Sequence, residues 1–152
     1  MSIRAGFIGL GNQGQPIAMQ LATAGIETTV FDIDPEPVSQ LVAVGAKAAA
    51  SPRELGSQAD IVGICVPEDA HVLSVALGAE GLIAGMQSGG VILIHSTILP
   101  ETVTEVAAAA AERDISVLDA CVTGGAARAE NRQITYLIGG PQDALDRARP
   151  YF

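Results

Sequence analysis

Short apolar runs separated by stretches of helical periodicity divide this chain into regular blocks. The apolar runs are mostly continuous rather than alternating, which is typical of strands buried on both faces of a sheet. Strands are predicted at residues 3–8, 27–31, 46–50, 61–66, 91–94, 115–118 and 134–138. Helical segments alternate with these strands, so the sequence predicts a single α/β domain over residues 1–152, built on a doubly wound, mostly parallel sheet.

Helix boundaries are marked by capping residues at several points. Pro35 begins a helix of about ten residues, and Pro100 begins an alanine-rich helix that extends to about residue 113. Ser51 is a candidate N-cap, because a proline follows it at the first helical position and Glu54 stands three residues later. Further helices are predicted over residues 68–77 and from residue 142 onward.

The most informative motif lies between the first strand and the first helix, in the stretch Gly9-Leu10-Gly11-Asn12-Gln13-Gly14. Gly9 permits the tight turn out of the strand, Gly11 lets the backbone approach a diphosphate, and Gly14 lets the helix lie close to the sheet. The helix N-terminus then offers free N–H groups to the phosphates. The motif predicts a Rossmann-type dinucleotide site, with a structural glycine turn as the plain alternative.

An acidic residue stands at the end of the second strand, where a dinucleotide site needs one. Asp32 lies 21 residues after Gly11, and a carboxylate about 20 residues beyond the motif accepts hydrogen bonds from the adenosine ribose. A carboxylate here also repels a 2′-phosphate, so NAD is predicted as the cofactor in preference to NADP. The alternative role for Asp32 is to initiate the turn before Asp34-Pro35.

The carboxyl ends of parallel strands meet at one edge of a sheet, where the ligands of open α/β sheets bind. The sequence becomes polar or glycine-rich after several predicted strands, which predicts one continuous rim. Its members are residues 9–14, Asp32, Val66-Pro67-Glu68, Ser96-Thr97 and residues 119–125. His95 is interpreted either as a hydrogen-bonded residue of this rim or as a proton shuttle, since imidazole titrates near neutrality. His71 is predicted to be a surface residue.

Composition narrows the classes of function. The formal charge of −9 argues against a nucleic-acid partner, because phosphate binding needs a basic surface. No apolar run approaches the ~18 residues that a membrane span needs, and no targeting segment is evident, so a cytoplasmic protein is predicted. Cys65 and Cys121 lack metal-ligand spacing and are interpreted as reduced thiols, and no metal site is predicted.

Four segments follow one another in a fixed order along nearly the whole chain. They are residues 8–18 with Pro16 in the first helical turn, residues 65–69, residues 95–100 and residues 118–125, and the pair Gly139-Gly140 comes after them. Together they resemble the β-hydroxyacid dehydrogenases, a family that includes 3-hydroxyisobutyrate dehydrogenase and 6-phosphogluconate dehydrogenase. The resemblance implies an oxidoreductase that moves hydride between a nicotinamide cofactor and a small 3-hydroxy acid.

The resemblance also implies roles for individual residues. The cofactor-binding set is Gly9, Leu10, Gly11, Asn12, Gln13, Gly14, Asp32, Val66, Pro67, Glu68 and Thr97, and the substrate-side set is Ser96, Thr123, Gly124 and Gly125. The family's second, all-helical domain carries the general acid/base lysine and is absent from these 152 residues. The chain's own lysine, Lys47, matches no catalytic position of the family, so no catalytic residue is expected here.

Whether this chain is by itself an enzyme therefore stays open. The alternatives are a stand-alone NAD(H)-binding module without turnover, and a different semialdehyde or imine reductase on the same scaffold. A homodimer is expected, formed through the family's second domain or through an exposed apolar face near Tyr151 and Phe152 at the end of the chain.

Several positions depart from the pattern of the family. His95 stands where an acid is usual, Cys121 where a proline is usual, and Thr123 where a serine is usual. Arg132 places a bulky cation where the family has glycine. Arg128, Glu130 and Arg132 are interpreted as a solvated helical face rather than as an anion clamp.

Overall fold

The computed structural model describes residues 3–152, which form one seven-stranded sheet with helices on both faces. The strand order is β3-β2-β1-β4-β5-β6-β7, with β1 to β6 parallel and β7 antiparallel to β6. The strands are β1 (Arg4–Ile8), β2 (Glu27–Phe31), β3 (Lys47–Ala48), β4 (Ile61–Ile64), β5 (Val91–Ile94), β6 (Ser116–Thr123) and β7 (Thr135–Gly139). The predicted doubly wound, mostly parallel α/β class is confirmed.

Helices connect these strands and cover the sheet. They are α1 (Gly14–Thr23), α2 (Pro35–Ala43), α3 (Pro52–Gln58), α4 (Asp69–Ala76), α5 (Leu82–Gly85), α6 (Pro100–Ala111), α7 (Gly125–Glu130) and α8 (Gln142–Ala148), and a 3₁₀ turn follows at Arg149–Tyr151. The strand order reverses between β1 and β4, so the connections on either side leave a crevice outside the carboxyl ends of these two strands.

The sheet is buried on both faces, which explains the continuous apolar runs. Successive side chains of a strand point to opposite faces, and Phe7 and Ile8 of β1 accordingly belong to two different apolar clusters. Phe7 packs in the cluster that contains Leu21 of α1, and Ile8 packs in the cluster that contains Leu55 of α3. All four side chains are at least 95% buried. A strand in this position cannot show a polar alternation.

The helix starts that were predicted from capping residues are confirmed. The Ser51 hydroxyl accepts a hydrogen bond from the Glu54 N–H at 3.1 Å, and a Glu54 carboxylate oxygen accepts one from the Ala50 N–H at 2.7 Å. Asp34 caps α2 by accepting from the Glu36 N–H at 3.0 Å. These bonds satisfy N–H groups that have no partner within the helix.

Two strand bounds differ clearly from the prediction, and one short helix was not predicted. The strand predicted at 115–118 extends to Thr123, because β7 pairs with it from Asp119–Gly139 to Thr123–Thr135. Residues 119–123 are therefore strand, and only Gly124 and Gly125 turn away at the rim. The strand predicted at 46–50 is reduced to Lys47–Ala48. Helix α5 has no predicted counterpart, since four residues are too few to show a helical period.

Candidate functional site

The glycine turn between β1 and α1 depends on close backbone contacts. Gly9 has φ +92°, and a Cβ there would overlap the Cys65 carbonyl. A Cβ on Gly14 would overlap the Gly9 carbonyl oxygen, whereas a Cβ on Gly11 would meet no described atom within 4 Å. Gly9 and Gly14 are thus required by the turn itself, and Gly11 leaves its backbone open toward a ligand.

Asp32 at the end of β2 binds this turn directly. Its Oδ2 accepts a hydrogen bond from the Leu10 N–H at 2.5 Å, and its Oδ1 accepts one from the Asp34 N–H at 2.8 Å. The bond to Asp34 is the predicted role of Asp32 in the turn before Asp34-Pro35, and the bond to Leu10 adds a contact with the glycine turn. Each carboxylate oxygen has a second acceptor site, so Asp32 keeps the capacity to accept a ribose hydroxyl while it holds the turn.

A cleft of about 480 Å³ opens beside the turn, at the reversal point of the sheet. Its walls come from the glycine turn, from the end of β2, from the loop after β4 and from α4; they include Gly11, Asn12, Gln13, Asp32, Ile33, Val66, Pro67, His71, Ser74 and Val75. A cleft of this size suits a small-molecule or cofactor ligand. Ile33 at its mouth is 94% exposed, which leaves an apolar surface for a flat ligand group.

Sequence reasoning missed four of these wall residues: Ile33, His71, Ser74 and Val75. The last three have the spacing i, i+3, i+4, which puts them on one face of a helix. That spacing could have shown that the three residues share a helix face beside the cleft. For Ile33 the available signal was its position directly after Asp32 at the end of a strand.

A buried donor in the turn also fits a ligand. The Gln13 amide nitrogen, Nε2, is buried and has no hydrogen-bond partner among residues 3–152. An unpaired buried donor is costly. Together with the open backbone face at Gly11, it fits an acceptor-rich group such as a diphosphate.

Two hydrogen-bonded bridges tie the loops after β4 and β5 together. The Ser96 hydroxyl donates to the Val66 carbonyl at 2.7 Å and accepts from the Val66 N–H at 2.9 Å. Asp69 Oδ1 accepts from the Leu99 N–H at 2.9 Å and from the Thr102 hydroxyl at 2.6 Å. These bonds hold the pKa of Asp69 below its ordinary value. The Val66-Pro67-Glu68 loop therefore has a fixed position relative to Ser96 and Thr97.

His95 lies beneath this edge rather than on the rim, contrary to the prediction. It is 1% exposed, and its ring stacks on Phe7 with centroids 5.7 Å apart. Nδ1 lies 2.9 Å from the Ala120 carbonyl oxygen, and Nε2 lies 3.2 Å from the Tyr151 hydroxyl. Burial lowers the pKa of His95 to about 4, against a smaller opposing effect of the Ala120 bond. This neutral, buried ring is a structural hydrogen-bonding group, which argues against a proton shuttle.

Tyr151 is also buried, although an exposed position was predicted. Tyr151 is 4% exposed. Its hydroxyl lies so close to Gly63 that a Cβ on that glycine would overlap the hydroxyl oxygen. Burial raises the pKa of Tyr151 well above its ordinary value. Other apolar side chains near the end of the chain are exposed instead: Leu137, Ile138 and Phe152 are 61%, 36% and 43% exposed, and Leu137 and Ile138 point to opposite faces of β7.

The segment Thr123-Gly124-Gly125 emerges at the end of β6 and is exposed throughout. Gly124 and Gly125 have φ values of +123° and +73°, in the region that favours glycine. The alkyl stem of Arg128 covers Gly124 so closely that a Cβ there would lie 2.7 Å from Arg128 Cδ. Side chains and backbone N–H groups of this segment are accessible to a small ligand.

The two cysteines near this edge are poor nucleophiles. Burial raises the pKa of the Cys65 thiol to about 11. The pKa of Cys121 is raised first by burial and then by Asp119, whose carboxylate oxygen lies 3.2 Å from the Cys121 Sγ. Both thiols are free and stay protonated near neutrality.

One of the basic residues lies where the sequence did not predict. Arg132 is not part of a helical face, because α7 ends at Glu130 and Arg132 adopts φ +56° in the connection to β7. Such a positive φ lies in the region that favours glycine. The Arg132 Nε–H donates to the Gln20 side chain at 2.6 Å. Lys47 pairs with Glu27 at the far edge of the sheet.

Among residues 3–152, no group of three or more histidine, cysteine, aspartate or glutamate side chains is placed to hold a metal ion. No described helix has the length and apolar character to cross a membrane.

The glycine turn, the acidic residue at the end of β2 and the cleft at the reversal point define a Rossmann-type dinucleotide-binding domain. The family model for the NAD-binding domain of 6-phosphogluconate dehydrogenase matches residues 4–152, and the chain belongs to this family. The resemblance to the β-hydroxyacid dehydrogenases is thereby confirmed, and NAD is the cofactor of the family's domain.

Individual relatives agree with this assignment. The chain is 42% identical over 146 residues to the NAD-dependent L-serine dehydrogenase of Pseudomonas aeruginosa and 40% identical over 144 residues to a 3-hydroxyisobutyrate dehydrogenase of the same organism. These matches cover 96% and 95% of this chain, but 49% and 48% of the relatives. A solved structure of Mycobacterium tuberculosis 3-hydroxyisobutyrate dehydrogenase with L-serine is 30% identical, with a TM-score of 0.91, and the match covers 99% of this chain and 51% of that one. The chain thus spans about half the length of these relatives.

Proposed function

We propose that this chain is the cofactor-binding part of an oxidoreductase that transfers hydride between NAD and the hydroxyl-bearing carbon of a small 3-hydroxy acid. The names of two relatives contain L-serine and 3-hydroxyisobutyrate. Both compounds share this chemistry, because each carries a hydroxyl group on the carbon β to its carboxylate. The common feature of the substrates is therefore the hydroxy acid itself.

The observation that carries the proposal is the position of the Asp32 carboxylate, which holds the glycine turn and borders the cleft. In this proposal Asp32 accepts hydrogen bonds from the adenosine ribose hydroxyls, and its charge disfavours a 2′-phosphate. The backbone from Gly9 to Gly14, with Leu10, Asn12 and Gln13, receives the diphosphate. Val66, Pro67, Glu68 and Thr97 line the remaining length of the cofactor.

The substrate side of the proposed site is formed by Ser96, Thr123, Gly124 and Gly125. The Thr123 hydroxyl and the exposed Gly124 and Gly125 N–H groups supply hydrogen bonds that orient a hydroxy acid. The Ser96 hydroxyl already bonds Val66 in both directions. A substrate contact at Ser96 would replace one of these bonds, so its main contribution is to position the loop after β4.

The nicotinamide ring supplies the hydride chemistry when the cofactor is bound. Proton transfer needs a separate acid/base group, and this chain supplies none in the proposal, because its buried His95 stays neutral and its Lys47 is paired at the opposite edge. We therefore expect the 152-residue chain to bind NAD without appreciable turnover of hydroxy acids. A steady-state assay at saturating NAD checks this; rates in the usual enzyme range of about 1–1000 per second would contradict it.

Calorimetric titration with NAD and NADP tests the cofactor assignment. We expect NAD to bind at least about tenfold more tightly, and we expect Asp32→Asn to remove most of that preference, because a neutral amide no longer repels the 2′-phosphate. Asp34→Asn is the matched control: it removes the same charge two residues away and keeps a good N-cap for α2. Equal affinities of the unaltered chain for both cofactors would rule out this role of Asp32.

We also propose a cytoplasmic homodimer, in which a second copy covers the exposed Leu137, Ile138 and Phe152. These side chains lie on the edge strand β7 and beside it, and an exposed edge strand can pair with its own copy about a two-fold axis. The free cysteines fit a reducing compartment. Sedimentation velocity of the chain and of Leu137→Lys tests the assembly, and a concentration-independent monomer would contradict it.

A further inference from the structure

Strands β5 and β6 stop pairing at the edge of the sheet where the proposed substrate side lies. Their last paired residues are Ile94 and Asp119, and β6 then continues to Thr123 with β7 as its partner. In the part of the chain that the structure describes, no backbone hydrogen bond joins residues 95–97 to residues 120–123. The position of one strand end relative to the other therefore depends on side chains.

His95 supplies the strong bond across this gap. Its Nδ1 lies 2.9 Å from the Ala120 carbonyl oxygen, and because a carbonyl oxygen can only accept, Nδ1 carries a proton and donates. A second side-chain contact across the gap, from Cys121 Sγ to the Ser96 carbonyl oxygen, is 3.4 Å long. A thiol is a weak donor, and this one has a nearer acceptor in Asp119.

Tyr151 holds the imidazole of His95 from its other nitrogen. In the neutral ring that burial favours, Nε2 is an acceptor, so the Tyr151 hydroxyl, 3.2 Å away, donates to it. The two rings stack with centroids 5.9 Å apart. Gly63 of β4 leaves room for both groups, since a Cβ there would overlap the Tyr151 hydroxyl oxygen and lie 2.8 Å from His95 Nε2. The buried strand thus has a glycine where this pair needs space.

We infer that Tyr151 is a positioning residue for the proposed substrate edge: through its bond to His95 Nε2 it holds the imidazole that joins the ends of β5 and β6. Ser96 follows His95, and Thr123 lies three residues beyond Ala120. Loss of the Tyr151 bond therefore lets these two hydroxyl side chains move relative to each other, and orientation of a ligand depends on their fixed positions. The identity of that ligand rests on the proposed function, whereas the link between the strand ends does not.

Nuclear magnetic resonance of the ¹⁵N-labelled chain tests the bond itself and needs no variant. At pH 7 we expect His95 to be neutral with its proton on Nδ1, and its Nε2 signal to be that of a hydrogen-bonded acceptor. A proton on Nε2 instead would overturn the inference, because Tyr151 could not donate to that nitrogen and Nδ1 could not donate to Ala120.

Tyr151→Phe, which removes the hydroxyl alone, tests the positioning role. Tyr136→Phe is the matched control: the Tyr136 ring also contacts His95, with centroids 5.4 Å apart, but the bonds of the imidazole go to Ala120 and Tyr151. Three quantities are measured for each protein. They are amide hydrogen exchange along the chain, the Kd of NAD, and the Kd of 3-hydroxypropionate in the presence of saturating NAD.

In Tyr151→Phe we expect exchange at residues 120–123 to rise at least about fivefold and the Kd of 3-hydroxypropionate to rise about fivefold, as for the loss of one hydrogen bond. The Kd of NAD should stay within about twofold, because the glycine turn and Asp32 are untouched. In Tyr136→Phe all three quantities should stay within about twofold.

The outcomes separate this inference from the proposed function. Unchanged exchange at residues 120–123 in Tyr151→Phe overturns the inference, and so does an equal rise over the whole sheet, because that marks a general loss of stability. An unchanged Kd of 3-hydroxypropionate despite a local rise in exchange also overturns the positioning role. If the unaltered chain binds NAD but not 3-hydroxypropionate, the proposed function fails, while a local rise in exchange still supports the link from Tyr151 to β6.

Discussion

The glycine turn at residues 9–14 and the Thr123-Gly124-Gly125 segment lie at the same edge of the sheet, but they are built in different ways. In the turn, Gly9 and Gly14 are buried, and a Cβ on either would overlap a backbone carbonyl. In the segment, all three residues are exposed, and the nearest obstacle to a Cβ on Gly124 is the flexible Arg128 side chain. Backbone atoms cannot yield, whereas a side chain can.

This difference separates the proposed cofactor end from the proposed substrate end. The proposed cofactor end depends on backbone geometry that only glycine satisfies, together with the Asp32 carboxylate that holds Leu10 and Asp34. The proposed substrate end depends on the Thr123 side chain and on the exposed Gly124 and Gly125. We therefore expect substitutions in the turn to affect folding, and those in the segment to affect ligand choice.

The largest effect is expected for Gly14→Ala. The added Cβ overlaps the Gly9 carbonyl oxygen, and relief would require α1 to move away from β1. We expect the free energy of unfolding to fall by about 3 kcal/mol, in the range of severe overpacking, as measured by urea denaturation. Ala22→Gly in the same helix is the control, with an expected cost of about 1 kcal/mol. A Gly14→Ala variant as stable as this control would show that the turn is more adaptable than its contacts indicate.

The next largest effect on stability is expected at the buried His95, whose ring contacts Phe7 of β1 and bonds the Ala120 carbonyl of β6. Because the pKa of His95 is lowered to about 4 in the folded chain, the unfolded state binds more protons between about pH 4 and pH 6.5. Stability therefore rises with pH through this window. At the low-pH end of this window, proton uptake by the unfolded state should lower the free energy of unfolding by up to roughly 3 kcal/mol.

His95→Asn tests this linkage, since asparagine keeps a donor for Ala120 but does not titrate. We expect the variant to be less stable than the unaltered chain at pH 7, because the ring contacts are lost, and the gap to narrow as the pH falls. Denaturation curves at several pH values measure it. His71 is exposed and present in both proteins, so any difference between their pH dependences comes from residue 95. If the free energy of unfolding changes with pH in the same way for both, His95 is not a buried neutral group.

A smaller loss is expected for Gly125→Ala. Among residues 3–152, no atom lies within 4 Å of a Cβ there, but φ is +73°, where residues with a Cβ are strained. The cost should be about 1 kcal/mol. In Gly139→Ala the Cβ also meets no described atom within 4 Å, and φ is not positive, so the free energy of unfolding should change by less than about 0.5 kcal/mol. A loss at Gly125 as large as that at Gly14 would erase the contrast between the two regions.

The smallest change in stability is expected for Gly11→Ala. Its Cβ meets no described atom and its φ is not positive, so the free energy of unfolding should change by less than about 0.5 kcal/mol. The same methyl group blocks the approach of a diphosphate, and NAD affinity should fall at least about tenfold. Calorimetry and denaturation on one sample separate the two effects. Unchanged NAD affinity would place the diphosphate elsewhere.

The sequence predicted much of the fold because its signals are local. Strand β2 and strand β5 have the predicted bounds, and the caps at Asp34 and Ser51 form as their residue types require. The glycine turn and Asp32 come together because β1 and β2 are neighbours in the sheet. By contrast, the extension of β6 to Thr123 depends on the antiparallel partner β7, and no signal within residues 119–123 shows that partner.

The sequence by itself determined the alternation of strands and helices, the dinucleotide turn and the acidic residue that follows it, because each depends on residues close together in the chain. Only the tertiary structure decided that His95 and Tyr151 are buried against each other, that the Ser96 hydroxyl is engaged by Val66, and that the Arg128 stem lies over Gly124. Residue type sets what a side chain can bond to, but the partner it meets and the water it loses depend on packing between segments that are distant in the sequence.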